Sequence, residues 1–452
     1  MAVGPLLACW LLFPLVLLVL CTGCGLLAER LSGAPLPGAL VPPAGFAVVI
    51  VLGGFLTLGD ATARFAPAAC AGAAVLGLLL GTRRLRPGID SSAAAAALGV
   101  FLIYGAPVLM SGEATFTGYI KLDDTATWLA LTDQALAHGR DLAGLAPSTY
   151  EATLSVYTGT GYPLGSFLPW GVGRAFTGQD LIWLFQPYIA FVGALLAVAA
   201  YSIARELVER RTLAAAAAFV AAQPALLYGY SLWGGVKEVV AACLLALVAA
   251  LTTWSLRHPE ALARPVPLAA AIAATVIALS VGGGVWIAAA LLGGAAILAV
   301  RARRALPVVA SSLRVSVAAA VLAIPALATA SSFVKGSAGL EAKSVAGTGE
   351  ALGNLLQPLS VFQLLGVWPT GDFRVRPGAG AITVALIAVV AAGALAGLWF
   401  AARRGAWGLL LYVGSAVVGC AAIAYYGSPW VDGKALATAS PVFVLAAAAA
   451  AA

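Results

Sequence analysis

Hydrophobic positions run through this chain in blocks rather than in stripes. Apolar stretches of about 17–25 residues, each long enough as a helix to cross a hydrocarbon core about 30 Å thick, recur from one end to the other. They lie near residues 5–27, 44–59, 66–82, 92–110, 181–203, 212–229, 239–256, 266–282, 284–300, 306–330, 381–401, 407–425 and 435–452. About thirteen such segments leave no room for a large soluble domain, so the pattern predicts an all-α, polytopic integral membrane protein. Between 266 and 300 the run is broken by Gly282-Gly283-Gly284, which marks either a tight external turn between two helices or one kinked, partly re-entrant segment. Five regions follow: N-terminal membrane helices over 1–110, a long loop over 111–180, a central bundle over 181–330, a second loop over 331–380 and C-terminal helices over 381–452.

The polar positions orient these segments. Arg83/Arg84/Arg86, Arg205/Arg210/Arg211, Arg257/Arg264, Arg301/Arg303/Arg304 and Arg403/Arg404 all fall in loops on one side of the predicted topology. Short loops rich in Lys and Arg stay in the cytoplasm, which sends 111–180, 228–238, 331–380 and 426–434 to the extracytoplasmic side together with the N-terminus. A first segment without a basic leader region argues against a cleaved signal peptide. At the other end the chain stops at Leu445 followed by seven alanines, partway through an apolar run. Either the last helix is short or the sequence is a piece of a longer protein.

Composition sharpens the class. Hydrophobic residues make up 62% of the 452 positions and charged ones 10%, and the mean hydropathy is +1.00. The net charge of +7 sits largely in the cytoplasmic loops, where it sets topology and meets anionic headgroups, so no nucleic-acid partner is expected. Six cysteines lie inside apolar runs and read as small hydrophobes, Cys21 and Cys24 included despite their redox-motif spacing. With only two histidines, a His-based metal site is not expected. Abundant Ala, Gly and Arg beside two methionines suggest a GC-rich bacterial genome, hence a bacterial plasma membrane and a cell-envelope substrate.

Against this background the segment Lys121-Leu122-Asp123-Asp124-Thr125-Ala126-Thr127-Trp128 stands out. Carboxylates beside a bilayer are costly, and a chain with 18 acidic residues places two of them side by side. From Asp124 to Leu142 the pattern predicts an amphipathic helix on the outer interface, with Trp128, Leu129, Leu131, Leu136 and Leu142 apolar, Asp133, Gln134, His138 and Arg140 polar, and Asp123 or Asp124 as its cap. One reading is that the pair only caps this helix. A functional reading makes one carboxylate a general base, its pKa raised by the other, or makes the pair hard oxygen ligands for Mg²⁺ or Mn²⁺.

Three external segments supply cations and aromatics. Trp368 to Arg376 sets Arg374 and Arg376 two apart on one side of an extended segment, suited to gripping a phosphate in forked fashion, or pairs one of them with Asp372. Trp233 to Glu238 places Lys237 and Glu238 at the mouth of a span, and Tyr425 to Lys434 does the same with Asp432 and Lys434. These loops are expected to converge with Asp123 and Asp124 on one outer cavity. Lys335, Glu341, Lys343 and Glu350 lie in a Gly/Ser/Ala-rich stretch that reads as a mobile loop closing over substrate.

Several of these features together resemble a known family. An acidic pair opens the first large external loop, an aromatic (Trp128) follows four residues later, a helix ends at Gly139, and Tyr162-Pro163-Leu164 precedes the next span. Tyr201 to Arg211, a small-residue helix, Gln223-Pro224 and Tyr228-Gly229-Tyr230 continue the likeness, over roughly residues 120–250. This pattern is similar to membrane glycosyltransferases of the GT-C superfamily, especially the protein O-mannosyltransferase type. The resemblance implies sugar transfer from a polyprenyl-phosphate donor on the extracytoplasmic face, with Asp123 or Asp124 as general base. Such a donor phosphate needs cations on the outer face, and the external segments supply them in Arg374, Arg376, Lys237 and Lys434, with Trp128, Tyr162, Glu238, Asp372 and Asp432 in support. The family commonly has Asp-Glu where this chain has Asp123-Asp124, and one span before the motif where this chain has four. The alternatives are a transporter or flippase of a lipid-linked or anionic solute, and a non-catalytic subunit of an envelope-synthesis complex.

Overall fold

The computed structural model of the chain describes residues 3–81, 90–111, 123–303, 305–344 and 352–452, save the side chains of residues 3, 123–124, 305 and 337–344. Its regular elements are all helices, with no strand among the described residues. Among the described residues nine helices are long and apolar enough to cross a membrane: α1 (Gly4–Ser32), α2 (Gly38–Leu56), α4 (Ser91–Leu109), α8 (Leu181–Ala204), α11 (Val236–Ser255), α13 (Val281–Ala302), α16 (Gly380–Arg404), α17 (Trp407–Tyr426) and α18 (Pro429–Ala451). Two shorter apolar helices, α3 (Ala66–Gly81) and α12 (Val266–Leu279), pack among them. The segment between α4 and α8 contributes α5 (Asp123–His138), α6 (Thr149–Gly159) and α7 (Leu168–Arg174). The chain is a multi-pass membrane protein.

Two predicted crossings are not straight. Residues 212–229 form α9 (Arg211–Ala221) and α10 (Ala225–Leu232), bent by 52°. Residues 306–330 form α14 (Ala305–Leu322) and the start of α15 (Ile324–Ser344), bent by 74°. Pro224 and Pro325 stand at the breaks; proline lacks the N–H and its ring excludes the carbonyl a turn earlier. Counting each bent pair as one crossing raises the total to eleven. The stretch with Lys335, Glu341 and Lys343, expected as a mobile loop, is instead the C-terminal part of α15, because Ala-rich sequence without proline sustains a helix. Glu350, Arg83, Arg84, Arg86 and Arg304 lie outside the described residues. The break falls at Ser280, just ahead of the glycine triplet: α12 stops at Leu279 and α13 starts at Val281, so Gly282-Gly283-Gly284 form the first turn of α13. Gly283 permits the tight packing there, since a Cβ would lie 2.6 Å from the Thr275 carbonyl oxygen.

The centre of the bundle is α11, 94% buried over its apolar window, flanked by α8 at 83%. By contrast α16 is only 17% buried and presents Val389, Leu395 and Trp399 outward, a surface suited to lipid. Where α1 crosses α2 and α3, glycines let backbones touch. A Cβ on Gly45 would collide with the Cys21 carbonyl, and one on Gly77 with the Gly23 carbonyl. Lipid offers no hydrophobic drive for helix pairing, so such close van der Waals packing carries the association. The six cysteines are free thiols, five of them buried.

Arginine-bearing helix ends gather at one end of the bundle. Arg257 pairs with Glu206 at 3.0 Å, and Arg211 approaches Asp90 at 3.9 Å. Arg404 donates to the Leu207 carbonyl and Arg301 to that of Leu256. At the far end, α5–α7 form a cap more deeply packed than the expected interfacial helix. Trp128, Leu131 and Ala135 of α5 are buried, and Trp170 of α7 is fully buried. Gln134, expected on the polar face, is buried and donates to the Asp141 carbonyl at 2.6 Å. The helix stops at Gly139, whose φ of +64° is a left-handed conformation that favours glycine.

Candidate functional site

An aromatic stack anchors the far end. Trp128 is 4% exposed and lies nearly parallel to Tyr162 (5.4 Å between ring centroids) and to Phe167 (4.9 Å), with Tyr157 edge-on at 5.8 Å. Its Nε1 donates to the Gly234 carbonyl at 3.1 Å, tying α5 to the turn that opens α11. Gly234 has φ +85°, and a Cβ there would lie 2.7 Å from the Thr125 hydroxyl. The first turn of α5, which begins with Asp123-Asp124, therefore rests on the Gly234-Gly235 turn. The side chains of Asp123 and Asp124 are outside the described residues.

Beside this contact is a narrow cleft with about 10 Å³ of inner space, about 310 Å³ with its open mouth included, lined by Trp128, Trp233, Lys237, Glu238, Trp430 and Lys434 among others. Each lysine meets an aromatic face. Lys237 Nζ donates to the Tyr162 hydroxyl at 3.1 Å and sits 4.2 Å from the ring centroid, and Lys434 Nζ lies 4.8 Å from that of Trp430. A ring quadrupole draws a cation to its face. Glu238 is 7% exposed at the same wall. The arrangement brings two ammonium groups, one carboxylate and three indoles to one cleft.

Of the sequence-predicted site residues, Trp128, Lys237, Glu238 and Lys434 come together in this cleft, and Tyr162 backs it. Arg374 and Arg376 do not form the expected phosphate fork. The segment is a turn, not an extended strand: Arg374 closes on Asp372 with Nε at 3.0 Å and Nη2 at 2.7 Å, donates to the Asn354 carbonyl, and stacks over Trp233 at 3.9 Å. Its guanidinium holds the Asp372 carboxyl below the usual carboxylate range. Arg376 is exposed, and both arginines line a depression apart from the cleft, with Gln357 and Thr383. Asp432, on α18, is not among the cleft-lining residues. No group of three His, Cys, Asp or Glu residues placed to share a metal ion exists among the described residues.

Sequence reasoning missed the wall behind Tyr162. Arg140, read only as a polar-face residue, donates from Nη2 to the Tyr162 carbonyl at 2.8 Å. Burial pushes its guanidinium down to about 10. Phe373, absent from the expectations, stacks on Tyr230 at 4.8 Å and so ties the 372–374 turn to α10. A lone arginine after a helix-ending glycine gave no signal of burial. No protein-family model, curated protein or solved structure matches the chain.

Proposed function

We propose that this protein is a membrane glycosyltransferase of the GT-C type, moving a sugar from a polyprenyl-phosphate donor to a cell-envelope acceptor. In this reading the chain crosses a bacterial plasma membrane thirteen times, counting both bent pairs and both shorter helices with the nine long ones. The arginine end faces the cytoplasm by the positive-inside rule, and the cleft faces outward. One observation carries the reading: a cleft with two ring-clamped lysines abuts the turn on which the Asp123-Asp124 helix begins.

The chemistry assigned to these residues is as follows. Lys237 and Lys434 hold the donor phosphate, and Trp128, Trp233 and Trp430 border the sugar. The acceptor hydroxyl oxygen attacks the anomeric carbon as the bond from that carbon to the phosphate oxygen breaks. The hydroxyl proton passes to Asp123 or Asp124, and polyprenyl phosphate departs with the bonding electrons. Adjacent carboxylates raise the pKa of one of the two, which suits it to accept a proton near neutrality. A Mg²⁺ or Mn²⁺ ion held by this pair would draw its remaining ligands from substrate oxygens.

Native mass spectrometry of the purified protein with polyprenyl phosphate tests the donor site. Wild type is expected to retain the lipid, and the Lys237→Met/Lys434→Met double variant to lose it. Retention by both would remove the lysine cleft as the donor site. Sugar transfer surviving in both Asp123→Asn and Asp124→Asn would remove the acidic pair as base. A second reading, transport of an anionic solute, draws support from a cavity of about 590 Å³ at the arginine end, lined by Arg205, Arg211, Arg257 and His258 and by the carboxylates Asp90 and Glu206 that pair with two of those arginines. Uptake of a labelled lipid-linked solute by proteoliposomes separates the two.

A further inference from the structure

A second cavity at the far end lies on the other side of Tyr162 from the lysine cleft. Thr57, Arg140, Leu164, Ser280, Pro325 and Thr329 are among the residues that line it, so α2, α12, the α14–α15 bend and the cap all meet there. Its inner volume is about 20 Å³, room for one water-sized group, and it widens toward its mouth.

Two of its polar groups lack partners. Arg140 uses Nη2 on the Tyr162 carbonyl, but Nη1 is buried with no hydrogen-bond partner, and no carboxylate pairs with this arginine among the described residues. A guanidinium stays charged at neutral pH even when burial lowers its pKa, so a buried unpaired positive charge remains. Ser280 is 2% exposed, and its Oγ likewise has no partner. As the residue before α13 it is placed to cap that helix, yet its side chain makes no capping bond. Its backbone, at φ 54° and ψ −145°, occupies a region where glycine is favoured, and the three residues that follow two positions on are glycine-rich while this one is not. A serine kept in a strained conformation with its hydroxyl unused points to a role for that hydroxyl. The positive end of the 22-residue α13 starts at the next residue. Guanidinium, hydroxyl and helix N-terminus are all donors, and the cavity gives them no acidic partner among the described residues.

We infer that the Arg140–Ser280 cavity binds an oxyanion, a phosphate or carboxylate group, with one oxygen seated between Arg140 Nη1 and Ser280 Oγ and the rest of the group at the mouth. The inner space admits one oxygen and not a whole phosphate, which selects a group approaching from the mouth. A lipid headgroup and a free phosphate share this chemistry. The site is separate from the lysine cleft, and Tyr162 joins them, its carbonyl on Arg140 and its ring on Lys237. The inference does not rest on sugar transfer.

The test uses the full chain in phosphatidylcholine nanodiscs at constant ionic strength, titrated with inorganic phosphate, and in parallel nanodiscs that contain phosphatidylglycerol. The readouts are apparent melting temperature and hydrogen exchange across residues 277–284. Protection by inorganic phosphate identifies a soluble anion, and protection by phosphatidylglycerol alone identifies a headgroup. Arg140→Met is expected to weaken the response at least tenfold, while Lys237→Met retains it. Ser280→Gly, which relieves the backbone and removes the hydroxyl, is expected to give a more stable protein that binds several-fold more weakly, and it serves if Arg140→Met does not fold. Absence of a wild-type response to both anions overturns the inference. So does an undiminished response in Arg140→Met or Ser280→Gly, or a response lost only in Lys237→Met.

Discussion

Replacing Trp128 with alanine should free α5 from the bundle without unfolding the bundle itself. The indole is 4% exposed, and truncating a buried Trp to Ala costs about 3–5 kcal/mol. Two parallel rings and one edge-on ring surround it, and its Nε1 bond to the Gly234 carbonyl adds about 0.5–1.5 kcal/mol. Among the described side chains in the N-terminal half of α5, Thr125 and Thr127 are also buried, and each is far smaller than the indole. Leu131 and Ala135 anchor its middle, and the Asp133–Arg174 pair, about half exposed on the Asp side, is worth at most about 1 kcal/mol. A loss of about 4 kcal/mol, at roughly 1.4 kcal/mol per decade, raises the population of the locally opened state about a thousandfold. Hydrogen exchange by mass spectrometry over residues 125–138 reads this directly, with α11 peptides as the internal control. Trp128→Phe keeps a ring in the stack and loses chiefly the hydrogen bond, so it should raise exchange only about tenfold. A change under tenfold in Trp128→Ala, or equal effects of the two variants, would refute the assignment of Trp128 as the fastener of α5.

Three further outcomes are expected. Gly45→Val should destabilise the α1–α2 contact by at least about 3 kcal/mol, because even a Cβ collides with the Cys21 carbonyl, whereas Gly282→Ala, with open space around it, should be neutral or slightly stabilising; denaturation in mixed micelles compares them. Asp372 has its folded-state carboxyl pKa lowered chiefly by its hydrogen bonds to Arg374, so the pair's contribution is complete above the ordinary carboxylate range and is lost as pH falls through the lowered value. Pepsin cleavage within 352–376 should therefore rise steeply on acidification in wild type and be high throughout in Arg374→Ala. Lys237→Met should leave the fold intact, since aromatic contacts hold Tyr162 from three other sides, yet lower polyprenyl-phosphate retention at least tenfold by native mass spectrometry.

Runs of apolar residues about twenty long have one stable form in a bilayer, the helix, because every backbone polar group must be satisfied within the segment. The sequence by itself therefore determined an all-helical, multi-pass protein, the positions of its apolar segments, and a gathering of arginine-bearing ends that the contacts among Arg211, Asp90, Arg257 and Glu206 then realise. It also marked Trp128, Lys237, Glu238 and Lys434, since polar and aromatic residues at segment ends are conspicuous in so apolar a chain. Tertiary structure decided what composition cannot encode. Arg374 turned to Asp372 because a local turn made that pairing cheaper than leaving a solvated fork, and Arg376 faced away from the cleft. The crossings at 212–229 and 306–330 broke at Pro224 and Pro325, and how sharply they bent depended on the helices packed around them. Arg140 and Ser280, unremarkable in sequence, acquired meaning only through burial: long-range packing removed their water and left their donors unanswered.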